Sequence, residues 1–142
     1  MIANKVRVII DTNVWVSFLI GKSLSGLIDH LNSGKIRIIL STKQLDELVI
    51  VLSRPKFHKY FNKVQILQFL DLIEVVSDII EITSEVEICR DPKDNFLLAT
   101  AKDGNANFII TGDLDLLELE SFEKTKIIDY QSFDKEFSFL ST

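Results

Sequence analysis

The sequence predicts an α/β domain built on a mainly parallel sheet with helices on both faces. Three observations predict it. Strand-like and helix-like segments alternate from end to end, the pattern of repeated β-α units. The candidate strands are short, β-branched and almost wholly apolar, as strands buried on both faces are. The chain of 142 residues carries only 5 Gly and 2 Pro. It shows no repeat, low-complexity tract or Pro/Gly/Ser linker, so residues 1–142 are expected to form one domain.

The elements follow in order. Val6 to Ile10 reads as a buried strand ending at Asp11-Thr12-Asn13. Val14 to Ile20 and Ser25 to Leu31 have helical apolar spacing, interrupted by Gly21 and closed by Ser33-Gly34. Thr12 or Asn13 is the expected N-cap. Ile36 to Leu40 is a second buried strand. Ser41-Thr42 opens a helix with Leu45, Leu48, Val49 and Leu52 on one face, stopped by Pro55. Val64 to Val76 is amphipathic, and Ile79 to Ile82 is a short strand. Asp91-Pro92 starts a helix with proline in the tolerated first turn, running to Asp103-Gly104. Asn107 to Thr111 is a strand ending at Gly112-Asp113. A short helix over Leu114 to Leu117, a strand at Lys126 to Ile128 and a helix over Gln131 to Leu140 complete the chain.

Composition excludes several classes. An apolar fraction of 46% and a charged fraction of 26% are ordinary globular values, which excludes dominant disorder. The single cysteine, Cys89, cannot form an internal disulfide, and one Cys with two His cannot close a structural zinc site. No apolar run approaches the ~18 residues that span a bilayer, and the first ten residues do not read as a signal peptide. A cytoplasmic setting with no membrane partner is expected. The formal charge is −5, without the basic excess usual for polyanion binders. Acids committed to a metal site would account for most of that imbalance.

Two buried-strand candidates end in aspartate, Asp11 and Asp113. In open parallel sheets, ligands bind at the carboxyl ends of the strands. Asp94 lies in the first turn of the Pro92 helix. Glu47 lies near the edge of the apolar face of the Thr42 helix, and Asp46 one step earlier shares that boundary. The spacing favours Glu47 only weakly. Two carboxylates about 5 Å apart repel by about 3 kcal/mol at an effective dielectric near 20. If Asp11, Glu47, Asp94 and Asp113 converge, a divalent cation relieves the conflict. An all-oxygen set with no nearby histidine suits Mg²⁺ or Mn²⁺, as one or two ions, better than Zn²⁺ or Cu²⁺. The matching reaction class is attack of water on a phosphodiester. The chain has neither a phosphate-binding G-x-x-x-x-G-K-[ST] loop nor G-x-G-x-x-G, which argues against nucleoside triphosphates and dinucleotides.

These residues resemble the PIN-domain nucleases. Ile9-Ile10-Asp11-Thr12-Asn13-Val14 is similar to that family's opening motif, Arg90-Asp91-Pro92-Lys93-Asp94-Asn95 to its central acidic motif, and Phe108 to Leu117 to its third. Leu45-Asp46-Glu47-Leu48 stands where the family carries a helical glutamate. Arg54-Pro55-Lys56-Phe57 is similar to the prokaryotic branch described as toxins of toxin–antitoxin pairs. The resemblance spans Val6 to about Ile128. It implies a PIN-like three-layer domain with a mainly parallel five-stranded sheet. It also implies Mg²⁺- or Mn²⁺-dependent cleavage of RNA, usually single-stranded, leaving a 5′-phosphate and a 3′-hydroxyl. A homodimer or higher oligomer and an inhibiting antitoxin are implied too. By position, Asp11, Glu47, Asp94 and Asp113 are implied as the catalytic metal ligands. Asp115 is implied as an additional metal-binding acid, and Thr12 and Asn13 as residues that orient Asp11.

Other features have plainer readings. Asp91 and Asp94 both suit a helix N-terminus, and Asp91 could share the face of Asp94. Arg54, Lys56, Lys59 and Lys63, interleaved with Phe57, His58, Tyr60 and Phe61, are candidates for RNA binding, or else a solvated basic loop with Phe57 and Phe61 in the core. Trp15 and Cys89 are expected in the core, His30 and His58 as structural or surface residues. Asp78, Glu81, Glu85 and Glu87 read as a solvated acidic face. Two other functions remain open: an aspartyl-phosphate phosphotransfer or phosphatase domain, and a non-catalytic RNA- or protein-binding module. Asn13 stands where a D-x-D phosphatase would carry its second acid, which weighs against the first.

Overall fold

Val8, Ile9 and Ile10 have no exposed surface, because the strand that carries them has a neighbour on each side and helices above and below. In the computed structural model, which describes residues 5–21 and 24–140, that strand is β1 (Val6–Ile10). It is followed by α1 (Thr12–Gly21), α2 (Leu24–Asn32), β2 (Ile36–Ser41), α3 (Thr42–Leu52), a single 3-10 turn (Pro55–Phe57) and α4 (Lys63–Val76). Then come β3 (Ser77–Ile80), α5 (Pro92–Gly104), β4 (Phe108–Ile110), α6 (Leu114–Leu117), β5 (Ser121–Phe122), β6 (Thr125–Ile128) and α7 (Tyr130–Leu140). The sheet order is β3-β2-β1-β4-β6-β5. All neighbours are parallel except β5 and β6.

Alternation along the strands sorts the core into two layers. Val8, Ile10, Ile38, Leu40 and Ile110 pack on one face with Trp15, Leu48, Phe69, Ile73 and Phe133. Ile9, Ile39, Ile109 and Ile127 pack on the other with Leu97, Leu98, Ala101 and Leu116. Helices α1, α3, α4 and α7 therefore cover one face, and α5 and α6 the other. Trp15 meets Phe69 edge-on at 5.5 Å and Phe18 at 6.3 Å between ring centroids. Phe61 is buried as expected, and Phe57 is half-buried and stacked on it at 5.8 Å. Cys89 lies half-buried at the margin of the second layer, not inside it.

Other local expectations also need correction. The sheet has six strands, not five. The extra strand, β5, is two residues long and pairs antiparallel with β6 through a turn. Glu120 and Glu123 take left-handed backbone there, at φ 61° and 53°, with no glycine to mark the turn. The strand expected at Ile79 to Ile82 is observed two residues earlier. Its start is fixed by charge: the Asp78 carboxylate takes Arg37 Nε at 2.8 Å and Arg7 Nη1 at 3.0 Å. Asp78 is thus no member of a solvated acidic face. Against the cost of burial, those two guanidiniums hold its carboxyl below the usual range.

The helix that leads from β1 starts from Asp11 itself, not from Thr12 or Asn13. The Asp11 carbonyl accepts from Val14 N at 2.9 Å and Trp15 N at 3.1 Å. Elsewhere the starts are as expected. Ser41 Oγ caps α3 by accepting from Gln44 N, and Asp91 caps α5 with Pro92 in its first turn. His30 Nε2 lies 2.6 Å from Asp134 Oδ1, tying α2 to α7. Among the described residues, no helix is long and apolar enough to cross a membrane.

Candidate metal centre

β1 and β4 are adjacent and parallel, so the residues that follow them arrive side by side at the carboxyl edge of the sheet. Asp11 follows β1 and Asp113 follows β4 by three residues. Thr111 links them. Its buried hydroxyl donates to Asp11 Oδ2 at 2.8 Å and accepts from the Asp113 amide at 3.0 Å. The Asp113 carboxylate caps α6 by accepting from the Asp115 amide at 2.8 Å. Across this edge, α5 presents its first turn. Asp94 there is 5% exposed, and Oδ2 of its carboxylate is buried with no hydrogen-bond partner.

Carboxylate oxygens of Asp94, Asp113 and Asp115 lie within 4.8 Å of one another. Burial, then the charges of Asp113, Asp91, Asp11 and Asp115, push the Asp94 carboxyl up to about 6. Asp11 is also raised, chiefly by burial. The Thr111 hydroxyl and the backbone amides of Asn13 and Thr12 pull against that rise. Without a cation, the arrangement is one of mutual repulsion. The donors are hard oxygens only, one of them orphaned in a buried position. That donor set fits a hard divalent cation.

The cluster opens into a cleft of about 620 Å³. Asp11, Glu47, Asp94 and Asp113 all line it, with Thr12, Asn13, Asp91 and Arg54. Both Asp46 and Glu47 face the cleft, which is why helical spacing separated them poorly. Glu47 is the one engaged across it, 3.7 Å from Lys93 Nζ of α5. Thr12 is buried and Asn13 exposed. Both reach Asp11 through backbone amides, not side chains. Asp115 joins the acid cluster from its exposed side, with Arg90 Nη2 3.4 Å away, an exposed pair that contributes little. Asp91 does what its position suggests: its carboxylate caps α5 while its charge bears on Asp94. Lys56, Lys59 and Lys63 are exposed on the segment after α3 and are not among the cleft-lining residues described. Lys56 and Lys59 sit over the rings of Phe57 and Tyr60, at 5.0 and 5.1 Å.

The comparisons with known proteins agree with this geometry. Residues 7–115 match the model of the PIN domain family. The chain belongs to the PIN domain family. An uncharacterized protein of Methanocaldococcus jannaschii is 37% identical to this PIN domain over 123 residues, covering 84% of this chain and 79% of that one. A crystal structure described as VapBC2 from Rickettsia felis, bound to a DNA fragment from their promoter, shares the fold with a TM-score of 0.58. The identity there is 18%, over 85% of this chain and 96% of that chain.

Sequence reasoning missed several residues of the PIN domain's cleft. Thr111 looked like one more β-branched strand residue, yet it orients Asp11. Gln44 is buried, donates to the Ile10 carbonyl at 2.6 Å and so fixes the end of β1 from α3. Asn95 accepts from the amides of Ile88 and Cys89 and donates to the Cys89 carbonyl, holding the approach to α5. A polar residue at a buried helical position is the signal that could have found Gln44. Lys43, Lys93 and Phe96 line the cleft as well.

Proposed function

We propose that this PIN domain is a metal-dependent endoribonuclease that hydrolyses phosphodiester bonds of single-stranded RNA. The observation that supports it most is the orphaned, buried Asp94 carboxylate within 4.8 Å of Asp113 and Asp115, beside the strand-end Asp11. In this reading Asp11, Asp94 and Asp113 hold Mg²⁺ or Mn²⁺, with Glu47 and Asp115 placed for a second ion or a water. Bound there, one or two ions would supply the charge and the lowered water pKa that phosphodiester hydrolysis needs. The protein's own part is positional. Thr111 keeps Asp11 Oδ2 aimed, Gln44 fixes the strand end that carries Asp11, and α5 presents Asp94 from the other side. Lys43, Lys93 and Arg54 bring positive charge into the same cleft, suited to flanking phosphates. Lys56, Lys59 and Lys63 extend that charge beyond it.

We further infer that the protein is the toxin of a toxin–antitoxin pair, working in the cytoplasm as a homodimer or larger assembly. The fold shared with a chain of VapBC2 supports the toxin–antitoxin part of this reading. An antitoxin protein is then its second partner besides RNA.

The test is cleavage of labelled single-stranded RNAs by wild type and Asp94→Asn with Mn²⁺, Mg²⁺ or EDTA. Metal-dependent cutting that the substitution abolishes is expected. Equal cutting by both proteins, or none by wild type across a broad RNA panel, would overturn the nuclease reading. Growth arrest on induced expression of wild type but not Asp94→Asn is expected of a toxin, and indifferent growth in both would remove that assignment.

A further inference from the structure

Two helical stripes form the walls of the cleft. On α3 and the residue pair after it, Lys43, Glu47, Ile50 and Arg54 line the cleft at helical spacing. On α5, Lys93, Phe96, Leu97 and Thr100 face them at the same spacing. Ile50 and Phe96 are the open apolar members, and Phe96 is the aromatic one. It is 37% exposed, although its helix is otherwise buried through Leu97, Leu98 and Ala101. The part of the Phe96 ring left open to the cleft is apolar surface that a stacked base would cover. Its ring has one partner across the cleft: Lys43 Nζ stands 3.7 Å from the ring centroid. An apolar ring under a lysine, with Lys93 and Arg54 lining the same cleft, has the parts that bind an unpaired nucleotide: a stacking surface and cations for the backbone. The cleft is continuous with the carboxylate cluster, since Asp11, Asp94 and Asp113 line it too.

We propose that Phe96 is a base-stacking platform for one unpaired nucleotide of the bound RNA strand, and that Lys43 leaves the ring for the adjacent phosphate when the base arrives. The inference rests on the RNA-cleaving reading above and deepens it. A cation over an exposed ring is a weak contact, and a stacked base is a stronger one, so the exchange runs toward the RNA. A base within a duplex has its faces covered by its neighbours. The platform therefore accepts single strands and selects against double strands without reading sequence.

The test is binding of a short labelled single-stranded RNA in Ca²⁺, read by fluorescence anisotropy, with gels to show that the RNA stays intact. Wild type, Phe96→Leu, Phe96→Tyr and Lys43→Ala are compared, each checked for folding by thermal melting. Phe96→Leu is expected to bind about tenfold more weakly, Phe96→Tyr like wild type, and Lys43→Ala with a salt dependence reduced by about one phosphate contact. A single abasic site is then moved along the RNA. In wild type one position should weaken binding about tenfold, and in Phe96→Leu that position should no longer matter. An abasic penalty that persists unchanged in Phe96→Leu, or equal binding by Phe96→Leu and wild type, overturns the platform while leaving the nuclease reading intact. If wild type binds no single-stranded RNA, both fail together.

Discussion

The Thr111 hydroxyl donates to Asp11 Oδ2 across 2.8 Å, joining residues 100 positions apart. Because the same oxygen accepts from the Asp113 amide, one threonine sets the spacing of two strand-end aspartates. Thr111→Val keeps the shape and deletes both bonds. Hydrogen bonds to charged groups contribute about 1.5–3 kcal/mol, so urea unfolding should show a loss of that order. Thr111→Ser should restore most of it. Asp11, already raised by burial, loses a pull in the other direction. The acid limb of any metal-dependent activity should therefore move to higher pH in Thr111→Val, and an unmoved limb would separate Thr111 from Asp11.

Asp94 carries the largest electrostatic cost. Burial and the neighbouring acids push its carboxyl up to about 6 in the folded, metal-free chain, from an ordinary aspartate value of about 4. Between those values the folded state binds more protons than the unfolded one. The sign is then fixed: metal-free stability is greatest, as far as this group is concerned, below pH 4, and is lost as pH rises through 6. Asp94→Asn should stabilise the metal-free protein at pH 7 by about 1–3 kcal/mol and do little at pH 4. Thermal melts in EDTA at the two pH values would decide it. A substitution that destabilises at pH 7 would show that Asp94 is satisfied in a way the orphaned Oδ2 does not suggest.

Metal should reverse that cost. Mn²⁺ at about a hundredfold its dissociation constant should stabilise wild type by about 2.7 kcal/mol. The same titration should leave the melting temperature of Asp94→Asn nearly unchanged. Equal shifts in both proteins would place the ion elsewhere.

Gly104 tests the packing that holds α5 over the sheet. A Cβ there would lie 2.6 Å from Ile39 Cγ2 and 3.1 Å from Ile80 Cδ1. Ile39 is fully buried and β-branched, so it has little room to yield. Alanine gains up to about 1 kcal/mol of helix propensity over glycine, while overpacking costs about 1–3 kcal/mol. The Gly104 carbonyl also accepts from Arg7 Nε at 2.8 Å, which a shifted helix would stretch. A net loss of about 1–2 kcal/mol by denaturant unfolding is expected for Gly104→Ala, and a gain would show that α5 can lift off freely.

Asn95 holds the segment before α5 by three hydrogen bonds, and Asp103 holds it further back. Asp103 accepts from the hydroxyl and amide of Ser84 and from the Thr83 amide, which lower its carboxyl to about 2. Asn95→Ala should speed amide exchange at Ile88 and Cys89 at least tenfold while the strands stay protected. Unchanged exchange would mean that Asp103 alone secures the segment.

The buried strands were legible because burial on both faces favours runs that are apolar and rich in β-branched residues, as in Val8 to Ile10 and Phe108 to Ile110. Asp11 and Asp113 were legible for the complementary reason: a charge that ends such a run stands at the sheet's edge. What escaped is set by partners distant in sequence. β3 starts where Asp78 meets Arg7 and Arg37, residues on two other strands, and apolar pattern carries no trace of that. β5 depends on left-handed glutamates, a conformation residue type does not announce. Thr111 was hidden by its own suitability, since a strand threonine needs no further explanation. Asp46 and Glu47 could not be separated because the cleft is wide enough to receive both.

The sheet order has a consequence for the newborn chain. β2 and β3 can pair with β1 early, but the other edge of β1 must wait for Phe108–Ile110. Until then it is an open, apolar edge of the kind that recruits stray strands. The Asp11–Thr111 bond closes across a separation of 100 residues, so the acid cluster cannot form before β4 has been made. A ribosome-bound chain lacking its final third carries Asp11, Glu47 and Asp94 but nowhere for them to meet. On the reading given above, a nascent chain cannot cut RNA before β4 has been made and has locked into place beside β1.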